Sequence, residues 1–181
     1  MEKKFELTEN YVVNEFGTKL YQIKCIKTFK YAKKGELGGF IEKEENLSQK
    51  GNAWVYDNAQ VYGNALVYDN ALVYARVCDN AHVYGNARVS NNALVSGNAL
   101  VSGNARVYDN AHVYGAARVY GAARVYDNVR VYGNAKVYDD VLVSGNARVY
   151  GNVWVYGNAH VYGNALVCGA ERVYGDTKVC K

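Results

Sequence analysis

From Gly51 to Cys180 the chain repeats itself every six residues. The unit reads Gly/Asp-Asn-Ala-x-Val-Tyr. It opens as Gly51-Asn52-Ala53-Trp54-Val55-Tyr56 and continues as Asp57-Asn58-Ala59-Gln60-Val61-Tyr62. There are 21 full hexads and one four-residue fragment, Ala75-Arg76-Val77-Cys78. The fifth position is Val in all 22 units, and the third is Ala except at Val129, Val141, Val153, Glu171 and Thr177. One such unit is too short to bury its own apolar side chains. Neighbouring units must therefore stack on a shared core, which makes a solenoid.

Within a unit, Ala-x-Val-Tyr alternates small-apolar, variable, apolar and polar-aromatic. A period of two predicts a short strand with Ala and Val facing inward. The remaining pair, Gly-Asn or Asp-Asn, predicts a corner whose residues tolerate positive φ. Ala replaces Asn at Ala116, Ala122 and Ala170, each time after Gly, so every corner keeps a residue that accepts the left-handed region. A helix is excluded, because Gly and Asn in every unit give neither a 3.6-residue stripe nor helix propensity. The fragment 75–78 lacks its corner pair. Ala71, Val73, Ala75 and Val77 keep the alternation through it, which predicts one flat eight-residue strand.

The spacing of an aliphatic residue and a small residue four positions on, Val55 to Ala59 and Val61 to Ala65, resembles the hexapeptide-repeat family. The residue after the aliphatic departs from that pattern, being mostly Tyr where the family has a small one. The resemblance implies an all-β fold, the left-handed parallel β-helix, with three hexads to a triangular turn of 18 residues. Within the family the chain looks most like the YdcK-like proteins, a likeness that includes Gly35-Glu36-Leu37-Gly38-Gly39-Phe40-Ile41-Glu42 and Asn46-Leu47-Ser48-Gln49. The resemblance also implies an alternative function, a CoA-dependent acyltransferase acting as an oligomer. His82, His112 or His160 would then be the general base. Such enzymes use a His in a groove between trimer subunits, often beside an extruded loop, and 79–180 has no inserted loop.

Residues 1–50 do not repeat. Strand-like runs at Phe5–Leu7, Tyr11–Val13 and 20–29, around a turn candidate at Asn14–Gly17, predict a β-hairpin. The expected organisation is a β cap and lead-in over 1–50 and the hexad solenoid over 51–181, with no separate C-terminal cap. Lys27, Lys30, Lys33 and Lys34 read as a solvated face. The N-terminus lacks the apolar stretch of a secretory signal, and no apolar run approaches the ~20 residues of a membrane helix. The expected location is cytoplasmic. Cys25, Cys78, Cys168 and Cys180 fit no zinc spacing and are expected as free thiols.

Residues 18 apart are expected to stack ~4.8 Å apart on one face. The variable position then forms three columns. They begin His82-Leu100-Arg118, Arg88-Arg106-Arg124 and Leu94-His112-Arg130. The three histidines fall on three different faces and cannot share a metal. The column Arg88-Arg106-Arg124, flanked by Tyr108 and Tyr126, is the candidate partner-binding site. Like charges this close call for an anionic partner or a paired neighbouring surface. No phosphate loop, nucleophile triad or carboxylate pair is visible. The leading expectation is a non-enzymatic scaffold that presents Tyr/Arg ladders to a protein or anionic polymer, with no cofactor and no membrane partner. Sequence-specific nucleic-acid readout is not expected, since the net charge is only +4 and no reading motif is present. Homo-oligomers packed through lateral faces are expected from the aromatic columns.

Overall fold

A computed structural model describes residues 3–180 of the protein. The fold is all-β, a parallel β-solenoid. Among the described residues there is no α-helix, only a short 3-10 turn at Glu44–Asn46. Three sheets wrap one core, and the eight strands of one of them mark eight turns. Each repeat contributes a short strand made of its variable residue and its Val, extended by one residue at His160–Tyr162 and Lys178–Cys180. Strand-centre residues stack in register as the sequence reading expects. The first face runs Gln60, Arg76, Leu94, His112, Arg130, Arg148, Leu166. The second runs Leu66, His82, Leu100, Arg118, Lys136, Trp154, Arg172. The third runs Trp54, Leu72, Arg88, Arg106, Arg124, Leu142, His160, Lys178. The Val and Ala side chains point inward, and nearly all are fully buried. Glu171 and Thr177 lie in the last turn and are exposed.

The left-handed backbone sits at the first corner residue only. Gly takes it in most corners, and Asp57, Asp69, Asp79, Asn91, Asp109, Asp127 and Asp139 take it themselves. The second corner residue is not left-handed, so Ala116, Ala122 and Ala170 are unstrained there. Asn at this second position instead ties the turns together. Asn92, Asn110, Asn128 and Asn146 each donate from Nδ2 to the Asn one turn on, at 3.0–3.2 Å.

The fragment 75–78 does not make a flat strand. Leu72–Val73 and Arg76–Val77 are separate strands in different sheets, joined by a bend at Tyr74 and Ala75. The reason is that each strand must bond to the turns beside it. Tyr74 N–H donates to Val89 O at 2.7 Å, and Arg76 N–H to Ala93 O at 3.3 Å. A straight strand would miss the second of these faces. Two residues thus turn a corner that elsewhere takes four, and residues across this turn pair at a spacing of 16 where the rest pair at 18.

The parallel ladder starts before Gly51. Strands β1 (Phe5–Val13) and β2 (Lys19–Cys25) form an antiparallel hairpin, and β2 pairs antiparallel with β3 (Leu37–Ile41). Strand β3 then pairs in parallel with Gln60–Val61, and Leu47 bridges Val67. Gly38 and Gly39 allow this approach: a Cβ on Gly38 would lie 2.6 Å from Val55 O, and one on Gly39 2.7 Å from Ala59 O. Side chains replace missing ladder partners along this edge. Asn46 Nδ2 donates to Gly63 O and Ala65 O, and Glu42 accepts from Gly63 N–H. The segment also folds over the third face, so Trp54, at an outward position, is fully buried against Phe5 and Phe29.

Candidate binding faces

Because Val points inward, the residue before it points outward. All eight arginines of the chain occupy this strand-centre position, and all are exposed. No unit carries Asp or Glu there, and all eight aspartates sit in corners. Corner position also occupies several of them. Asp69, Asp79, Asp127 and Asp139 each accept a backbone N–H from the Gly one turn on, at 2.8–3.2 Å. The fold therefore sorts charge, with cations along flat faces and carboxylates along edges.

The structure brings the predicted residues together. Arg88, Arg106 and Arg124 occupy directly paired positions on the third face. Tyr108 and Tyr126 stack beside them, with ring centroids 5.0 Å apart and planes within 3°. Burial, followed by the neighbouring Tyr126, pushes the Tyr108 phenol up. Among the described residues no carboxylate lies within ion-pair reach of the three arginines, whereas Arg76 pairs with Glu15 at 2.8 Å. The same 18-residue spacing sets up a second ladder. Arg130 and Arg148 pair on the first face, flanked by the stack Tyr114-Tyr132-Tyr150 at 4.9 and 4.8 Å. On the second face the cations are partly engaged, since Lys136 and Arg172 cover Trp154 from either side at 4.3 and 5.1 Å.

The expected excess of exposed aromatic surface is smaller than the sequence suggests. Stacked rings cover one another, and within the solenoid only Tyr74, Tyr162 and Tyr174 rank as exposed. Column arithmetic counts rings without this mutual cover.

His82, His112 and His160 fall on the second, first and third faces as expected. His112 differs from the others in lining a recess of about 460 Å³, with Asn58, Gln60, Arg76, Asn92 and Leu94 among its neighbours. The recess lies where the short corner at Tyr74 and Ala75 removes two residues from the edge. Burial, and then the charge of Arg130, lower the His112 pKa and so disfavour its charged form. No carboxylate lines the recess. The missing Gly-Asn pair was the signal for it in the sequence.

The YdcK Beta solenoid repeat model matches residues 59–74, 81–97, 87–103, 105–121, 123–139 and 143–157. Over those residues the chain is similar to that repeat, in keeping with its parallel β-solenoid fold. No curated protein matches the chain. The matched segments carry all five residues of the two arginine ladders, and they break off at Tyr74, within the short corner, and resume at Ala81. All four cysteines are free, Cys25 and Cys78 being buried. Burial raises the pKa of both thiols, which disfavours the nucleophilic thiolate. Among the described residues no cluster of three His, Cys, Asp or Glu could hold a metal, and no helix is long and apolar enough to cross a membrane.

Proposed function

We propose that the protein is a non-enzymatic scaffold whose flat faces bind an anionic polymer, with Arg88, Arg106, Arg124, Tyr108 and Tyr126 as the principal contact. The observation that carries this reading is the sorting of charge: every arginine on a face, every aspartate in a corner. Guanidinium groups bind carboxylate, sulfate or phosphate through paired hydrogen bonds, and Tyr rings add flat contact area. Adjacent arginines ~4.8 Å apart repel until an anion lies along them. A rigid prism also holds its ladder preformed, which reduces the entropy lost on binding.

Binding to dextran sulfate, followed as a function of salt, tests this. Arg106→Ala should weaken binding roughly tenfold to hundredfold, on the scale of one charge-assisted hydrogen bond, and leave the melting temperature within about 2 °C. Unchanged affinity of an Arg88→Ala/Arg106→Ala/Arg124→Ala protein would remove the reading. A second reading, CoA-dependent acyl transfer, is favoured by one observation, the position of His112 in the recess. It predicts acetyl-CoA turnover that His112→Ala abolishes and Arg106→Ala spares.

A further inference from the structure

Tyrosine stacks line the solenoid, and serine interrupts all three of them, at Ser96, at Ser102, and at Ser90 and Ser144. On the second face the stack contains Tyr68 and Tyr84, then Ser102, then Tyr120, Tyr138, Tyr156 and Tyr174. Its resolved steps are 4.8–5.5 Å with the rings nearly parallel. On the third face Tyr108 and Tyr126 are followed by Ser144 and then Tyr162. Replacing one ring by a serine hydroxymethyl leaves the flanking rings two steps apart, ~9.6 Å. That gap accepts one planar ring at ~4.8 Å from each neighbour, inside the range of favourable aromatic stacking.

Both gaps are open recesses of the same construction. One, of about 230 Å³, is lined by Tyr84, Leu100, Ser102, Arg118, Tyr120 and Lys136. The other, of about 300 Å³, is lined by Tyr126, Leu142, Ser144, His160, Tyr162 and Lys178, with Val161 at its back. Each has Tyr on both sides, a half-buried Leu from the serine's own hexad as an apolar wall, and cationic side chains at the rim. The other two serines do not reproduce this. Ser96 has Cys78 below it, so two rings are missing. Ser90 also stands between two tyrosines, Tyr74 and Tyr108, but its own hexad carries Arg88 where the others carry Leu, and its recess includes the carboxylate of Asp57.

We propose that the Ser102 and Ser144 gaps are binding slots for a planar aromatic ring carrying an anionic group. The ring continues the tyrosine stack and lies against Leu100 or Leu142. The anion meets Arg118 and Lys136 in one slot, and Lys178 in the other. A saturated ring lacks the flat face, and a neutral ring lacks the partner for the rim. The Ser102 slot lies on a different face from the Arg88-Arg106-Arg124 ladder, and the Ser144 slot shares only Tyr126 with the polymer contact, so this proposal stands whether or not that ladder binds a polymer.

Calorimetric titration of the full chain with naphthalene-2-carboxylate tests the assignment. Two sites are expected. Ser144→Tyr should remove one, and Ser102→Tyr/Ser144→Tyr both. Tyr is the usual resident of this position, so the filled variants keep the stack and should melt at or above the wild-type temperature. Ser102→Ala/Ser144→Ala leaves the slots open and should still bind. Naphthalene-2-carboxamide and cyclohexanecarboxylate should each bind at least fivefold more weakly. Undiminished binding by the double Tyr variant, or equal binding of the saturated acid, overturns the proposal. Loss of polymer binding in Arg88→Ala/Arg106→Ala/Arg124→Ala with naphthoate binding intact would separate the two readings.

Discussion

Val107 shows how one residue type defines the core. It is fully buried, as are nearly all its repeats, and the stack leaves no room for anything branched further or charged. Lys4 is the exception that tests this rule. It is 5% exposed, donates from Nζ to Ala53 O at 2.8 Å and lies 5.1 Å from the centre of the Phe29 ring. Burial lowers its pKa to about 8. The unfolded chain holds this proton up to about pH 10.4. Between those values the unfolded state binds more protons, so raising the pH stabilises the native state. Below pH 8 both states are charged and the burial cost is fully present. Relative to Lys4→Met, the protein with Lys4 should gain on the order of 2–3 kcal/mol between pH 7 and pH 10.5, read by urea unfolding of both proteins. Tyr ionisation is common to the pair and cancels, and Cys25, whose charge interacts with that of Lys4, is replaced by Ala in both proteins. A difference independent of pH would contradict the buried charge.

At the scale of the element, corners and strands divide the work. Most strands are two residues long because the face takes only the variable residue and the Val into its ladder. Corners carry the conformational requirement, and the sequence showed it: Gly, Asp or Asn precedes every full strand unit. Which of the two corner residues is left-handed was not readable, since Asn tolerates that region as well as Asp does. The structure puts it on the first residue and gives the second to side-chain ladders. The short corner likewise escaped the sequence reading. Alternation continues through Ala75 and Val77, and pattern alone does not say that the sheet changes there. Inserting Gly-Asn between Tyr74 and Ala75 should restore the common spacing and fill the recess beside His112. The circular dichroism spectrum should be kept and the melting temperature changed by only a few degrees, because surface insertions are tolerated. Collapse of the fold would show that the short corner is required.

Across the whole molecule, each turn contacts only the turns on either side, so stability builds roughly as a sum of neighbour interfaces. Removing Gly115–Tyr132, one complete turn of 18 residues, should leave a folded protein, because the hexads it joins are of the same kind. The deletion takes out Arg118, Arg124 and Arg130. It should therefore lower the midpoint of unfolding modestly and weaken binding to dextran sulfate. Loss of all ordered structure would mean that the turns are not interchangeable.

The hexad by itself determined the core, the sheets and the columns. Period two within a unit fixes which residues face inward, and period 18 between turns fixes which outward residues become neighbours. Both are local rules applied repeatedly, so the Arg88-Arg106-Arg124 ladder and the separation of the three histidines could be read without coordinates. Only the tertiary structure decided the rest. It placed the start of the parallel ladder at β3, because Gly38, Gly39 and Asn46 act through contacts with residues distant in sequence. It buried Trp54 at a nominally outward position, because a non-repeating segment folds back over it. It turned the corner at Tyr74 and Ala75, because hydrogen bonds to the neighbouring turns outweigh the local preference for an extended run. And it made slots of Ser102 and Ser144, because a missing ring becomes a cavity only when rings stand on both sides of it.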